Sequence, residues 1–126
     1  MLFRSNPQTL IIDNIGMLAT LYRVASVTYV GGGFNSSGIH NCLEAAVYGK
    51  PVIFGPHFQK FAEARNLVES GAAFSISDKD SFGSKLSQLL SDKTMREKCG
   101  NIAADYVKKN AGATECILGH IRKISF

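Results

Sequence analysis

The chain has 126 residues, 45% of them hydrophobic, which is the ordinary range for one globular domain with a core of its own. Its formal charge of +4 suits an anionic ligand or an acidic membrane surface but is too dilute to point to nucleic acid. No apolar run approaches the roughly 20 residues of a membrane-spanning helix, and Met1-Leu2-Phe3-Arg4-Ser5-Asn6-Pro7 has no signal-peptide pattern, so a soluble protein kept in the cytoplasm is expected.

In chain order, Thr9-Leu10-Ile11-Ile12-Asp13 is a short β-branched apolar run and predicts a buried strand. Met17 to Ala25 carries Leu18, Leu21, Tyr22 and Ala25 at helical spacing. Val27-Thr28-Tyr29-Val30 predicts a second strand, running into Gly31-Gly32-Gly33. His40 to Tyr48 predicts a helix stopped by Gly49, and Pro51-Val52-Ile53-Phe54 a third strand closed by Gly55-Pro56. Phe61 to Glu69 predicts a helix ending at Gly71, and Ala73-Phe74-Ser75-Ile76 a fourth, weaker strand. After Asp80 the pattern is helical only, over 82–90, 95–109 and 114–124, a tail that packs over the sheet or reaches toward a neighbouring domain. Strands alternating with helices predict an α/β fold, a Rossmann-like parallel sheet with flanking helices. A doubly wound nucleotide-binding domain has about six strands, so a first strand and helix are expected to be missing.

Cys42, Cys99 and Cys116 are odd in number and far apart, with no Cys-x-x-Cys pair and no histidine at zinc-ligand spacing. They are read as reduced thiols, with no disulfide framework and no structural metal.

The densest chemical signal runs from Val30 to Ala46. Glycines after a strand let the backbone turn tightly and let a ligand approach closely. Ser36 or Ser37 is placed to cap the following helix, and the amides of Gly38 to Asn41, with the helix dipole, form a candidate site for phosphate or carboxylate. Glu44 stands one turn beyond His40, so both face one side and the carboxylate can meet a ribose hydroxyl pair. The spacing matches neither Gly-x-Gly-x-x-Gly nor the phosphate loop ending in Gly-Lys-Ser/Thr, which argues against hydride transfer and NTPase chemistry. Taken singly, these features occur in plain turns and on helix surfaces. Their combination with Gly49-Lys50-Pro51-Val52-Ile53 marks a ligand site.

Here the chain resembles the 3-deoxy-manno-octulosonic acid (Kdo) transferases. The resemblance is carried by Val30, Gly31, Gly32, Phe34, Gly38, His40, Asn41, Leu43, Glu44, Ala46, Gly49, Pro51, Val52, Ile53, Gly55, Pro56, His57, Phe61 and Glu63, and upstream by Asp13, Gly16, Leu18 and Tyr22. Gly33, Ser37, Ile39, Met17 and Lys60 depart from the family pattern, Lys60 placing a positive charge where a neutral amide is usual.

The resemblance implies the C-terminal half of a GT-B fold, with residues 1–126 as the nucleotide-sugar-binding domain and a helical tail from about 80. It implies CMP-Kdo as donor, lipid A precursor as acceptor, a role in lipopolysaccharide assembly, and neither metal nor cofactor. Charge on the leaving CMP phosphate would be met by the 38–41 turn, assisted by His40 and Lys60. The donor-binding residues would be Gly31, Gly32, Gly33, Ser37, Gly38, Ile39, His40, Asn41, Glu44, His57, Lys60 and Glu63. The catalytic base would lie in an amino-terminal acceptor domain, so the chain alone is expected to be inactive. The full-length enzyme would work at the cytoplasmic face of the inner membrane, without nucleic acid. Two other readings stay open: the donor half of a UDP-sugar GT-B transferase or UDP-sugar 2-epimerase, and a non-catalytic nucleotide-sugar-binding module.

Overall fold

The computed structural model describes residues 4–6 and 8–124. Its centre is a three-stranded parallel sheet of β3 (Thr28–Tyr29), β4 (Val52–Phe54) and β5 (Ala73–Ser75), in the order β3-β4-β5. Thr28 pairs with Val52, and Val52 in turn with Ala73. The crossovers carry α2 (Leu43–Ala46) and α3 (Ala62–Glu69), as parallel pairing requires. Upstream lie β1 (Arg4–Asn6), β2 (Thr9–Ile11) and α1 (Leu18–Val24), and downstream α4 (Lys79–Ser91), α5 (Lys93–Asn110) and α6 (Ala113–Ile124).

β4 is the middle strand, and its three residues are wholly buried. Side chains alternate along a strand, so Val52 and Phe54 enter one core while Ile53 enters the other. The first core gathers Tyr22, Val30, Ile39, Ala45, Leu67 and Ala103 around Val52 and Phe54. The second holds Ile76, Leu89 and Cys99 around Ile53, with Phe74, Phe82 and Leu86 at its margin. Burial of a side chain the size of Phe54 or Leu89 contributes about 1.5–3 kcal/mol. These two layers bear out the α/β fold expected from the sequence.

The strand expected over 9–13 is not part of this sheet. Thr9–Ile11 instead pairs antiparallel with Arg4–Asn6, Ser5 opposite Leu10, and Leu10 and Ile11 are exposed. A short β-branched run finds backbone partners most cheaply in the segment just before it, because a tight hairpin closes a far smaller loop than a crossover does. Among the described residues the parallel sheet therefore has three strands where four were expected.

The helical tail divides. α4 starts at Lys79, earlier than the apolar pattern predicts, because Asp78 and Ser81 form a capping box: the Ser81 amide donates to Asp78 Oδ1 at 2.7 Å and the Asp78 amide to Ser81 Oγ at 3.1 Å. Those hydrogen bonds hold the Asp78 carboxyl below its ordinary pKa. α4 closes the second core through Leu89, and α5 reaches both cores through Cys99 and Ala103. α6 buries none of its side chains. Among the described residues no helix is long and apolar enough to cross a membrane.

Directly after β4, Gly55 lies flat against the Gly32–Gly33 backbone. A Cβ at Gly55 would stand 2.7 Å from the Gly33 carbonyl carbon and 2.8 Å from the Gly32 oxygen. Gly55→Ala is expected to lower stability by roughly 1–3 kcal/mol through overpacking, read as a lower urea midpoint with an unchanged slope.

Candidate functional site

Beyond β3 the chain forms a tight β-hairpin rather than a turn feeding a helix. Gly32 and Ile39 face each other as an antiparallel bridge. The Gly33 amide donates to the Gly38 carbonyl at 2.8 Å and the His40 amide to the Gly31 carbonyl at 2.9 Å. At the tip, the amides of Gly38 and Ser37 both donate to Asn35, to its carbonyl and to its side-chain oxygen respectively. The hairpin is clamped to the end of β4, where the His57 amide donates to the Gly33 carbonyl at 2.9 Å.

This geometry corrects two expectations. The helix predicted over 40–48 is only Leu43–Ala46, because the His40 amide is drawn into the hairpin. Ser36 and Ser37, both at the hairpin tip, do not cap it; the N-cap position is Cys42, without a side-chain bond, and the Asn41 side-chain oxygen just before it accepts from the Leu43 amide at 3.0 Å. The continuous row of open amides expected from Gly38 to Asn41 is likewise not formed, since Gly38 and His40 use theirs internally. Within the described residues, no hydrogen bond engages the amides of Gly32 and Ile39, which as a non-hydrogen-bonded antiparallel pair point to opposite edges of the hairpin.

The side-chain expectations fare differently. His40, Asn41 and Glu44 line one cavity of about 430 Å³ together with Gly31, against an apolar wall of Leu18, Tyr22, Tyr29 and Val30. Asn41 Nδ2 donates to Glu44 Oε1 at 3.2 Å, so one side chain both accepts from the first amide of α2 and orients the carboxylate. Burial, reinforced by the Glu44 charge, raises the pKa of Tyr22. Leu18, Tyr22 and Tyr29 were not singled out as site residues from the sequence. The i, i+4 spacing of Leu18 and Tyr22, which puts both on one face of α1, is the signal that could have found two of them.

Other expected residues lie elsewhere. Ser36, His57, Gln59 and Lys60 line a second cavity of about 240 Å³. Gly33 is packed on Gly55, and the Ile39 side chain is buried in the first core. Glu63 lines neither of these cavities, and its charge acts on the Cys42 thiol. Among the described residues no group of three His, Cys, Asp or Glu side chains converges on a possible metal position.

No family model matches the chain. A 3-deoxy-D-manno-octulosonic acid transferase of Aquifex aeolicus is 36% identical over 104 residues, covering 79% of this chain and 30% of that protein. The enzyme of the same name from Haemophilus influenzae is 33% identical over 115 residues, 90% of this chain and 27% of that protein. That of Bordetella pertussis is 35% identical over 103 residues, 81% of this chain and 24% of that protein. The chain thus spans less than a third of the length of these relatives. The crystal structure of the C-terminal CMP-Kdo binding domain of WaaA from Acinetobacter baumannii matches with a TM-score of 0.68 at 24% identity, over 76% of this chain and 51% of that one. The sequence matches bear out the resemblance to the Kdo transferases, and the structural match shows that the chain shares the fold of that donor-binding domain.

Cys42 is buried at the start of α2, and burial, with the nearby Glu63 charge, pushes its thiol up to about 11. Cys116 is exposed on α6. Since the thiolate is the reactive form, iodoacetamide at pH 8 is expected to label Cys116 first and to leave Cys42 unmodified until the protein unfolds, as read by peptide mass spectrometry.

Proposed function

We propose that this chain is the donor-binding part of a Kdo transferase, holding CMP-Kdo while Kdo is moved to a lipid A precursor in lipopolysaccharide assembly. The observation that carries this reading is the Glu44 cavity: a carboxylate held by Asn41, a histidine and a glycine hairpin, at the carboxyl end of a parallel strand, on a chain 36% identical to a Kdo transferase. Nucleotides bind at that end of such sheets.

In this reading the ribose hydroxyls donate to Glu44 and the nucleoside lies against Leu18, Tyr22 and Tyr29. The α-phosphate lies at the hairpin with His40 beside it. Groups fixed by the hairpin need no reorganisation as the CMP phosphate gains charge in leaving, which is how preorganised donors favour a transition state. Residues 1–126 act as the donor domain. The base that deprotonates the acceptor hydroxyl belongs to an amino-terminal acceptor domain of the same enzyme, working at the cytoplasmic face of the inner membrane. This chain alone therefore binds donor without transferring it, because transfer needs a base within hydrogen-bond reach of the acceptor.

Titration followed by NMR is expected to perturb residues 31–44 first and to respond more strongly to CMP than to UDP. Equal responses would favour a UDP-sugar enzyme and overturn the assignment. Glu44→Gln is expected to weaken CMP binding by about 1.5–3 kcal/mol, the range for a hydrogen bond to a charged group, while changing stability by less than about 0.5 kcal/mol, as is usual at an exposed helix position. Isothermal titration and urea unfolding of the same variant check both halves.

A further inference from the structure

The polar residues around the hairpin fall into two cavities that share no lining residue, and they differ in charge. The first contains the Glu44 carboxylate. The second, formed by Ser36, His57, Gln59 and Lys60, has no acidic residue in its lining. Lys60 is exposed, with its ammonium 3.2 Å from the Ser36 carbonyl oxygen and 5.3 Å from the centre of the Phe61 ring. Lys93–Glu97 is the only ion pair among the described residues, so Lys60 has no carboxylate partner there. The cavity also adjoins the first turn of α3, which has no side-chain cap, and Arg65 donates to the Gln59 carbonyl.

The two cavities are close neighbours. A Cβ built on Gly38 would stand 2.8 Å from Lys60 Cε, and one built on Gly32 would stand 2.5 Å from the Gly38 oxygen and 3.3 Å from His40 Cδ2. About the width of one hairpin therefore separates His40 from Lys60.

We infer that the Lys60 cavity is the subsite for the carboxylate of the transferred sugar acid, with Ser36, His57 and Gln59 as its neutral hydrogen-bonding wall. This assignment rests on the nucleotide-sugar reading of the Glu44 cavity. In a nucleotide-linked ulosonic acid the phosphate and the carboxylate branch from the same anomeric carbon, so the site must hold two anions a few ångströms apart. The Glu44 cavity repels a second anion, whereas Lys60 attracts one. The hairpin lies between them, with the His40 side chain on the Glu44 cavity and Ser36 on the Lys60 cavity. Lysine fits this role as a compact point charge that needs no bidentate geometry. A neutral sugar on the same phosphate would leave Lys60 without an ionic partner, so this subsite favours sugar acids.

The test is isothermal titration of this chain with CMP and with freshly prepared CMP-Kdo, comparing wild type, Lys60→Ala, Lys60→Gln, Lys60→Arg and Glu44→Gln. Both neutral variants are expected to weaken CMP-Kdo roughly tenfold or more, as for a lost charged hydrogen bond, and to leave CMP within about twofold. Lys60→Arg keeps most of the CMP-Kdo affinity, and Glu44→Gln weakens both ligands by the same factor. Retained CMP binding shows that each Lys60 variant is folded. If the neutral variants weaken CMP and CMP-Kdo alike, or neither, the carboxylate subsite is wrong while the nucleotide site stands. Wild type that binds neither ligand overturns the nucleotide reading itself.

Discussion

The contact on which the site depends is between two backbones without side chains. Gly33, at φ +83°, and Gly55 pack so closely that a Cβ on either would stand within 3 Å of the other's main chain. The hydrogen bond from the His57 amide to the Gly33 carbonyl locks the same junction. It fixes the hairpin to the end of the most buried strand, so the hairpin, His40 and the Lys60 loop take their positions from β4. A rigid backbone contact of this kind holds neighbouring groups in place without side-chain rotamers to order.

Around that junction the site is built by division of labour between elements. α1 supplies the apolar wall through Leu18 and Tyr22, and α2 supplies Glu44, held by Asn41. The loop between β4 and α3 supplies His57, Gln59 and Lys60. Acidic and basic groups are thereby kept on separate sides of the hairpin.

The elements legible in the sequence are those whose signal is local. The Leu18, Leu21, Tyr22 spacing marked α1 nearly to its ends, and the wholly apolar Val52-Ile53-Phe54 marked the central strand. The start of α2 was misplaced because it depends on a bond between His40 and Gly31, nine residues apart, that no periodicity records. The run at Thr9 carried a true strand signal, but pairing partners are not written in a strand's own residues. α4 began early because its start is encoded by a polar pair, Asp78 and Ser81, and not by apolar spacing. In the site, His40 and Glu44 could be paired from helical spacing alone, although His40 proved to precede the helix. Tyr29, which enters the cavity from a different element, could not. The division of the polar residues into two cavities was equally hidden, since it arises from the fold of the hairpin between them.

α5 belongs to both sides of the sheet. Cys99 lies in one core and Ala103, four residues later, in the other, while Gly100 between them rests on the Gly49 carbonyl so closely that a Cβ there would be 2.1 Å from the oxygen. Neither core can open without withdrawing the same helix, so the sheet and its two layers form one cooperative unit in the sense used for hydrogen exchange. The β1–β2 pair, with Leu10 and Ile11 exposed, and α6, which buries no side chain, stand outside that unit and are expected to exchange ahead of it. The hairpin, sealed to β4 through Gly33 and Gly55, is tied to that unit, so it is expected to open with the core rather than ahead of it.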